Sequence, residues 1–168
     1  MTFIVDTNVI LVANRQHPDV SEECISSCSK QLQSIMASGR IALDSNFEII
    51  SEYQNKTQPN RGKGPGDVFL KWALQNNANT GRCDLIDLKP HSIRGYESFP
   101  EDDRLSKFDP PDRKFVAVAA AHEAHPPILQ AADSKWLGWA PALADHGIQV
   151  DFLCPCDIQR FHEKKFGK

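Results

Sequence analysis

Four acids stand where a fold of alternating strands and helices gathers its ligands. Asp6 follows the apolar run Phe3-Ile4-Val5, and Asp133 follows Pro127 to Ala132. Asp112 opens the apolar stretch that begins at Arg113, and Glu52 sits on a helix predicted from Asp44 or Ser45 to about Lys56. Carboxylates crowded together repel, so they either protonate or hold a cation between them. Hard divalent ions take oxygen ligands of this kind. Mg2+ or Mn2+ held so activates water and stabilises a phosphoryl transition state, and the matching chemistry is hydrolysis of a phosphodiester. Asp109, three positions before Asp112, is either a further ligand or a cap ahead of Pro110 and Pro111. Asp6-Thr7-Asn8 by itself reads equally as a helix cap. Glu48 shares a helix face with Glu52, but it comes early enough to serve only the positive end of the helix.

The elements that must position these acids follow from periodicity and punctuation. Phe3-Ile4-Val5 suits a strand buried on both faces. A helical turn is expected at Val9 to Val12, then a helix from Asp19 or Ser21 to Ser38, ended by Gly39. Further strands are predicted at Arg40–Leu43, Cys83–Leu88, Pro127–Ala132 and Ile148–Leu153. Helices are predicted from Val68 to about Asn76, from Pro110 to near His125, and from Ser134 to His146 with a break near Gly138 and Pro141. A short helix is expected after Asp157. Lys89 to Pro111 is polar and unpatterned, a long loop of the functional or mobile kind. Strands alternating with helices imply an α/β fold with a parallel sheet covered on both faces, its ligands beyond the carboxyl ends of the strands.

At 168 residues the chain is expected to form a single domain. Its net charge of −3 excludes a global basic field for nucleic acid, although metal-binding acids themselves lower the count. No apolar run reaches the roughly 18 residues of a membrane span. The start lacks the features of a signal peptide, so a cytoplasmic location away from any membrane is expected. Five cysteines, an odd number, argue against a disulfide framework in such a chain. Buried or incidental thiols are expected at Cys24, Cys28, Cys83, Cys154 and Cys156, because no strong zinc spacing is present.

Four blocks, taken in order, resemble those of PIN-domain nucleases. Phe3-Ile4-Val5-Asp6-Thr7-Asn8-Val9-Ile10 is similar to their opening strand, and Ile49-Ile50-Ser51-Glu52-Tyr53 to their second acidic position. Asp109-Pro110-Pro111-Asp112-Arg113-Lys114-Phe115-Val116-Ala117-Val118-Ala119 resembles the third block, and Ile128-Leu129-Gln130-Ala131-Ala132-Asp133-Ser134-Lys135-Trp136 the fourth. The resemblance covers residues 3 to about 153. It implies a three-layer α/β/α PIN-like fold with a central, mainly parallel sheet. It also implies a Mg2+- or Mn2+-dependent endoribonuclease acting on single-stranded RNA. Asp6, Glu52, Asp112 and Asp133 would be the catalytic metal-site acids, with Asp109 and Asn8 in support. Many relatives are toxins, so an antitoxin protein partner and a homodimer are expectations by the same analogy. The chain departs from the family in having Ala131 where Thr is frequent, and in a longer segment from Lys89 to Lys107.

For substrate contact, Asn8 lies beside the acids, and Arg61, Lys63, Arg94, Arg113 and Lys114 are candidates to hold phosphates. Trp136, Trp139 and Tyr96 are candidates to stack on unpaired bases. Two other functions are weighed. One is a non-catalytic PIN-like module that binds RNA or a protein, which a missing acid would favour. The other is an acid-metal phosphatase, whose usual Asp-x-Asp would need an acid where Asn8 stands.

Overall fold

Phe3-Ile4-Val5 has no polar side chain to offer water on either face, and it forms the middle strand of a five-stranded sheet. The computed structural model describes residues 1–57 and 63–167. Strand β1 (Thr2–Val5) leads into helices α1 (Thr7–Ala13) and α2 (Glu22–Ser38). Strand β2 (Arg40–Asp44) leads into α3 (Glu48–Lys56) and α4 (Pro65–Asn76), and β3 (Cys83–Ile86) into a small hairpin, β4 (Pro90–His91) and β5 (Gly95–Tyr96). Two 3-10 turns, Asp103–Leu105 and Pro110–Asp112, precede α5 (Arg113–Ala121). The chain then runs through β6 (Ile128–Gln130), α6 (Lys135–Asp145), β7 (Val150–Phe152) and α7 (Pro155–Phe166).

The sheet has the order β3-β2-β1-β6-β7 and is parallel throughout. From β1 the chain moves outward to β2 and β3, then returns past β1 to β6 and β7. Right-handed crossovers therefore place the connecting helices on opposite faces of the two halves. α1, α2 and α4 pack together in one layer, while α5 lies on β1, β2 and β6, and α6 lies on β7. The three-layer α/β/α architecture is as the sequence implies. Strand order reverses between β1 and β6, which opens a crevice at their carboxyl ends.

Local chemistry fixes the helix starts. Ser21 Oγ accepts the Cys24 N–H at 3.1 Å, with Glu22 and Glu23 in the first turn of α2. The Asp44 carboxylate accepts the Glu48 and Ile49 N–H groups at 2.8 and 2.9 Å, ahead of α3. α4 starts at Pro65, earlier than predicted, because Asn14 Oδ1 accepts the Gly66 and Asp67 N–H groups at 2.8 and 3.1 Å. A Cβ on Gly66 would lie 2.4 Å from the Ile10 carbonyl oxygen, so the contact of α4 with α1 requires glycine there.

Several expectations are corrected. α5 ends at Ala121, short of His125. The predicted break in the next helix is absent: α6 runs through Gly138 and Pro141, anchored by buried Trp136, Ala142 and Leu143. The segment after β3 is not a loose loop. Phe99, Leu105 and Phe108 from it are buried in the core. Arg113, buried on α5, donates to the carbonyls of Phe108 at 3.1 Å, Arg94 at 3.1 Å and Ser106 at 3.0 Å.

The cysteine expectation also fails in part, because Cys24 on α2 and Cys154 ahead of α7 form a disulfide across 130 positions. An odd count does not forbid one pair, and the pairing is made by the fold. Cys28 and Cys83 are buried free thiols, and Cys156 is exposed. Burial, reinforced by Asp157, pushes the Cys28 thiol up to about 12. No helix among the described residues is long and apolar enough to cross a membrane.

Candidate metal centre

Asp6 closes β1 and caps α1, its Oδ2 accepting the Asn8 N–H at 2.9 Å. Asp133 follows β6, the next strand in the sheet. The two acids thus flank the point where strand order reverses. Asp112 ends the second 3-10 turn at the head of α5, and Glu52 reaches in from α3. These four acids line one open cleft of about 240 Å³, together with Thr7, Asn8, Lys56 and Pro111. One carboxylate oxygen each from Asp109, Asp112 and Asp133 lie within 4.8 Å of one another.

The positions are held by other residues. The Tyr53 hydroxyl donates to the carbonyl of Val5, tying α3 to the end of β1 just before Asp6. Asn8 Oδ1 accepts the Ala132 N–H at 2.6 Å, clasping α1 to the loop that carries Asp133. Asp133 accepts the Lys135 N–H at 3.2 Å, and Lys135 Nζ lies 3.1 Å from Asp109. Glu52 has both oxygens engaged: Thr7 donates to one, and Lys114 Nζ lies 2.8 Å from the other. Lys114 also donates to the carbonyl of Pro111.

Electrostatics follow from this crowding. Burial first, then the charge of Asp112, holds the Asp6 carboxyl well above the ordinary range, with Asp133 and Glu52 adding to the shift. Burial, Asp133, Glu52 and Asp109 push Asp112 up to about 6, with Lys114 opposing. Asp133 is raised by burial, while the Lys135 N–H and then the Lys135 charge pull it back. Three acids thus hold protons more tightly than free carboxylates, as expected of oxygens gathered around a position suited to a cation. An all-carboxylate donor set fits a hard divalent ion such as Mg2+ or Mn2+.

The predicted substrate contacts divide. Lys63 is exposed ahead of α4, and Arg61 lies outside the described residues. Arg113, expected to hold phosphate, is instead turned into the loop before it and lies over the Phe99 ring at 4.8 Å. Arg94 donates to the carbonyls of Phe99 and Glu97 at 2.9 and 3.0 Å. Lys114 serves Glu52. Trp136 is wholly buried, Tyr96 donates to Glu48 at 2.6 Å, and Trp139 is half-buried beside a groove. Sequence reasoning overlooked exposed Lys56, although it stands one turn beyond Glu52 on α3. It also overlooked Thr7 and Lys135, each next to or near a nominated acid. The chain matches no family model, no curated protein and no solved structure.

The Lys114–Glu52 pair is little exposed on either side, so removing one partner strands the other charge. Lys114→Met is expected to lower stability in urea unfolding by about 2–3 kcal/mol. Adding Glu52→Gln to Lys114→Met should recover most of that loss. Equal stability of the single and double variants would show that the pair is not coupled.

Proposed function

We propose that the protein is a metal-dependent nuclease hydrolysing phosphodiester bonds in single-stranded RNA, as the four sequence blocks resembling PIN-domain nucleases imply. The observation that carries the proposal is the convergence of Asp6, Asp112, Asp133 and Glu52 on one open cleft at the strand-order reversal. Asp6, Asp112 and Asp133, with Asp109 beside them, would hold Mg2+ or Mn2+. The bound ion would lower the pKa of a water and offset charge on the phosphoryl group. Glu52, bound by Thr7 and Lys114, would set the charge and shape of the cleft. Lys56, exposed at its rim, would attract the phosphate backbone. The attacking group would be a water activated by the bound ion, so the chemistry would proceed without a covalent enzyme intermediate. Toxin activity, an antitoxin partner and a homodimer extend the same resemblance.

The test is cleavage of a fluorescent single-stranded RNA, with matched DNA, in Mg2+, Mn2+ or EDTA. Cleavage of RNA in Mn2+ or Mg2+ and none in EDTA is expected, and Asp6→Asn should remove it while the circular dichroism spectrum stays unchanged. Asn keeps an oxygen to cap α1, so loss of cleavage would report the metal site and not the helix. Cleavage in EDTA would refute the proposal. Metal binding without cleavage of any strand would favour the non-catalytic binding module.

A further inference from the structure

A groove of about 590 Å³ lies beside the acid cluster, between α6, α7 and the segment before α5. Its floor is the Trp139 indole, which packs against Phe108 with ring centroids 4.3 Å apart. The exposed Phe166 ring and its neighbour His162, centroids 4.9 Å apart, form one wall. Arg104, Lys107 and Lys135 bring positive charge to it. Arg104 is paired with Asp102 and Asp145, while Lys107 makes no ion pair among the described residues. Gly138 lines the groove next to Trp139, and a Cβ there would meet nothing within 4 Å, so a side chain has room to start there. The groove joins the acids through Asp109, which lines it and whose carboxylate also belongs to the cluster with Asp112 and Asp133.

A flat aromatic floor, a cationic rim and a metal-type acid cluster at one end call for a ligand with a flat ring and an adjoining phosphate. A nucleotide of an unpaired strand has both. In a duplex the bases are stacked on each other and cannot reach an indole. We propose that this groove seats one nucleobase of a single-stranded nucleic acid, in the nucleotide next to the phosphate held at the acids. The assignment rests on the nuclease proposal and names the part of the substrate that reaches beyond the cleft. Trp139 is the stacking surface, and Lys107 and Lys135 hold the backbone of that nucleotide.

The probe is fluorescein-labelled hexauridylate in EDTA at low salt, where no cleavage occurs, compared with an abasic ribose-phosphate oligomer of equal length. Fluorescence anisotropy is expected to show about 10-fold tighter binding of hexauridylate than of the abasic strand. Trp139→Ala should reduce hexauridylate affinity to the abasic level, and Trp139→Phe should keep most of it. Because Trp139 also packs on Phe108, Gly138→Leu provides a variant that fills the groove without touching the core. It should retain full thermal stability and lose about 10-fold in affinity. Equal binding of the two strands, or unchanged affinity in both Trp139→Ala and Gly138→Leu, would overturn the proposal. Base-dependent binding in a protein that cleaves nothing in Mg2+ or Mn2+ would instead refute the nuclease proposal and leave the groove assigned.

Discussion

Asp112→Asn is expected to make the metal-free protein more stable while slowing RNA cleavage by about 10³-fold, equivalent to about 4 kcal/mol of barrier. The Asp112 side chain makes no capping hydrogen bond to α5, so an amide loses nothing that the helix needs. It removes a charge that burial and Asp133 already disfavour, having pushed its pKa to about 6. Discounted for partial exposure, that shift corresponds to about 1–2 kcal/mol, or a melting temperature higher by about 3–6 °C.

The sign of the pH dependence is fixed by the same groups. Asp6, Asp112 and Asp133 all have folded pKa values above their unfolded ones. Between about pH 4 and 6 the folded chain therefore binds more protons than the unfolded chain, and the stability of the metal-free protein falls as pH rises through that window. Acidification to about pH 5 should raise the melting temperature in EDTA, and saturating Mn2+ should flatten the effect. Asp84 and Asp102, held low by His122 and Arg104 respectively, act oppositely, and their stabilisation is lost only at more acid pH. A metal-free Asp112→Asn protein no more stable than wild type at pH 7 would show that the acids do not repel as the geometry requires.

The second large effect is on the disulfide. Its loop of 130 positions places it among the long closures, for which chain entropy gives about 3–5 kcal/mol. Cys154→Ala is expected to lower the melting temperature by roughly 10 °C, and Cys156→Ala to leave it unchanged. Cys24→Ala should cost less than Cys154→Ala under oxidising conditions, because the buried Cys28 sulfur lies 3.9 Å from that of Cys154 and can take the vacated partner. Mass spectrometry of peptides from unreduced protein would show the Cys28–Cys154 bond. If Cys24→Ala and Cys154→Ala melt at the same temperature, Cys28 does not replace Cys24.

The frame of this fold and its acids are local properties, which is why they are legible in residue order. Val5 ends an apolar run and Asp6 follows it; Ala132 and Asp133 repeat the pattern. The start of α2 is readable because its cap, Ser21, is the adjacent residue. Asp44 serves α3 from four positions upstream, so that helix starts at Glu48 and not at Asp44 or Ser45. The start of α4 is not readable, because its cap comes from afar, from Asn14. Arg113 looks like a surface cation beside an acid, yet Phe99 and Phe108 enclose it, and nothing near it in the chain foretells that. The Cys24–Cys154 bond, the clasp from Asn8 to Ala132 and the groove floor at Trp139 are likewise products of packing between distant segments. Lys56 was within reach of the sequence, since it follows Glu52 at the spacing that puts two side chains on one helix face.

The hydrogen bond from Ala132 to Asn8 spans 124 positions. At a synthesis rate of about 5–20 residues per second, Asp6 waits roughly 6–25 s for Asp133 to be made. Until β6 emerges and docks beside β1, a nascent chain carries at most a partial set of carboxylates. Under the proposed nuclease function, chemistry that depends on the full set would be withheld from ribosome-bound intermediates and from any product truncated before Asp133, and the order of translation itself would keep the unfinished chain inert.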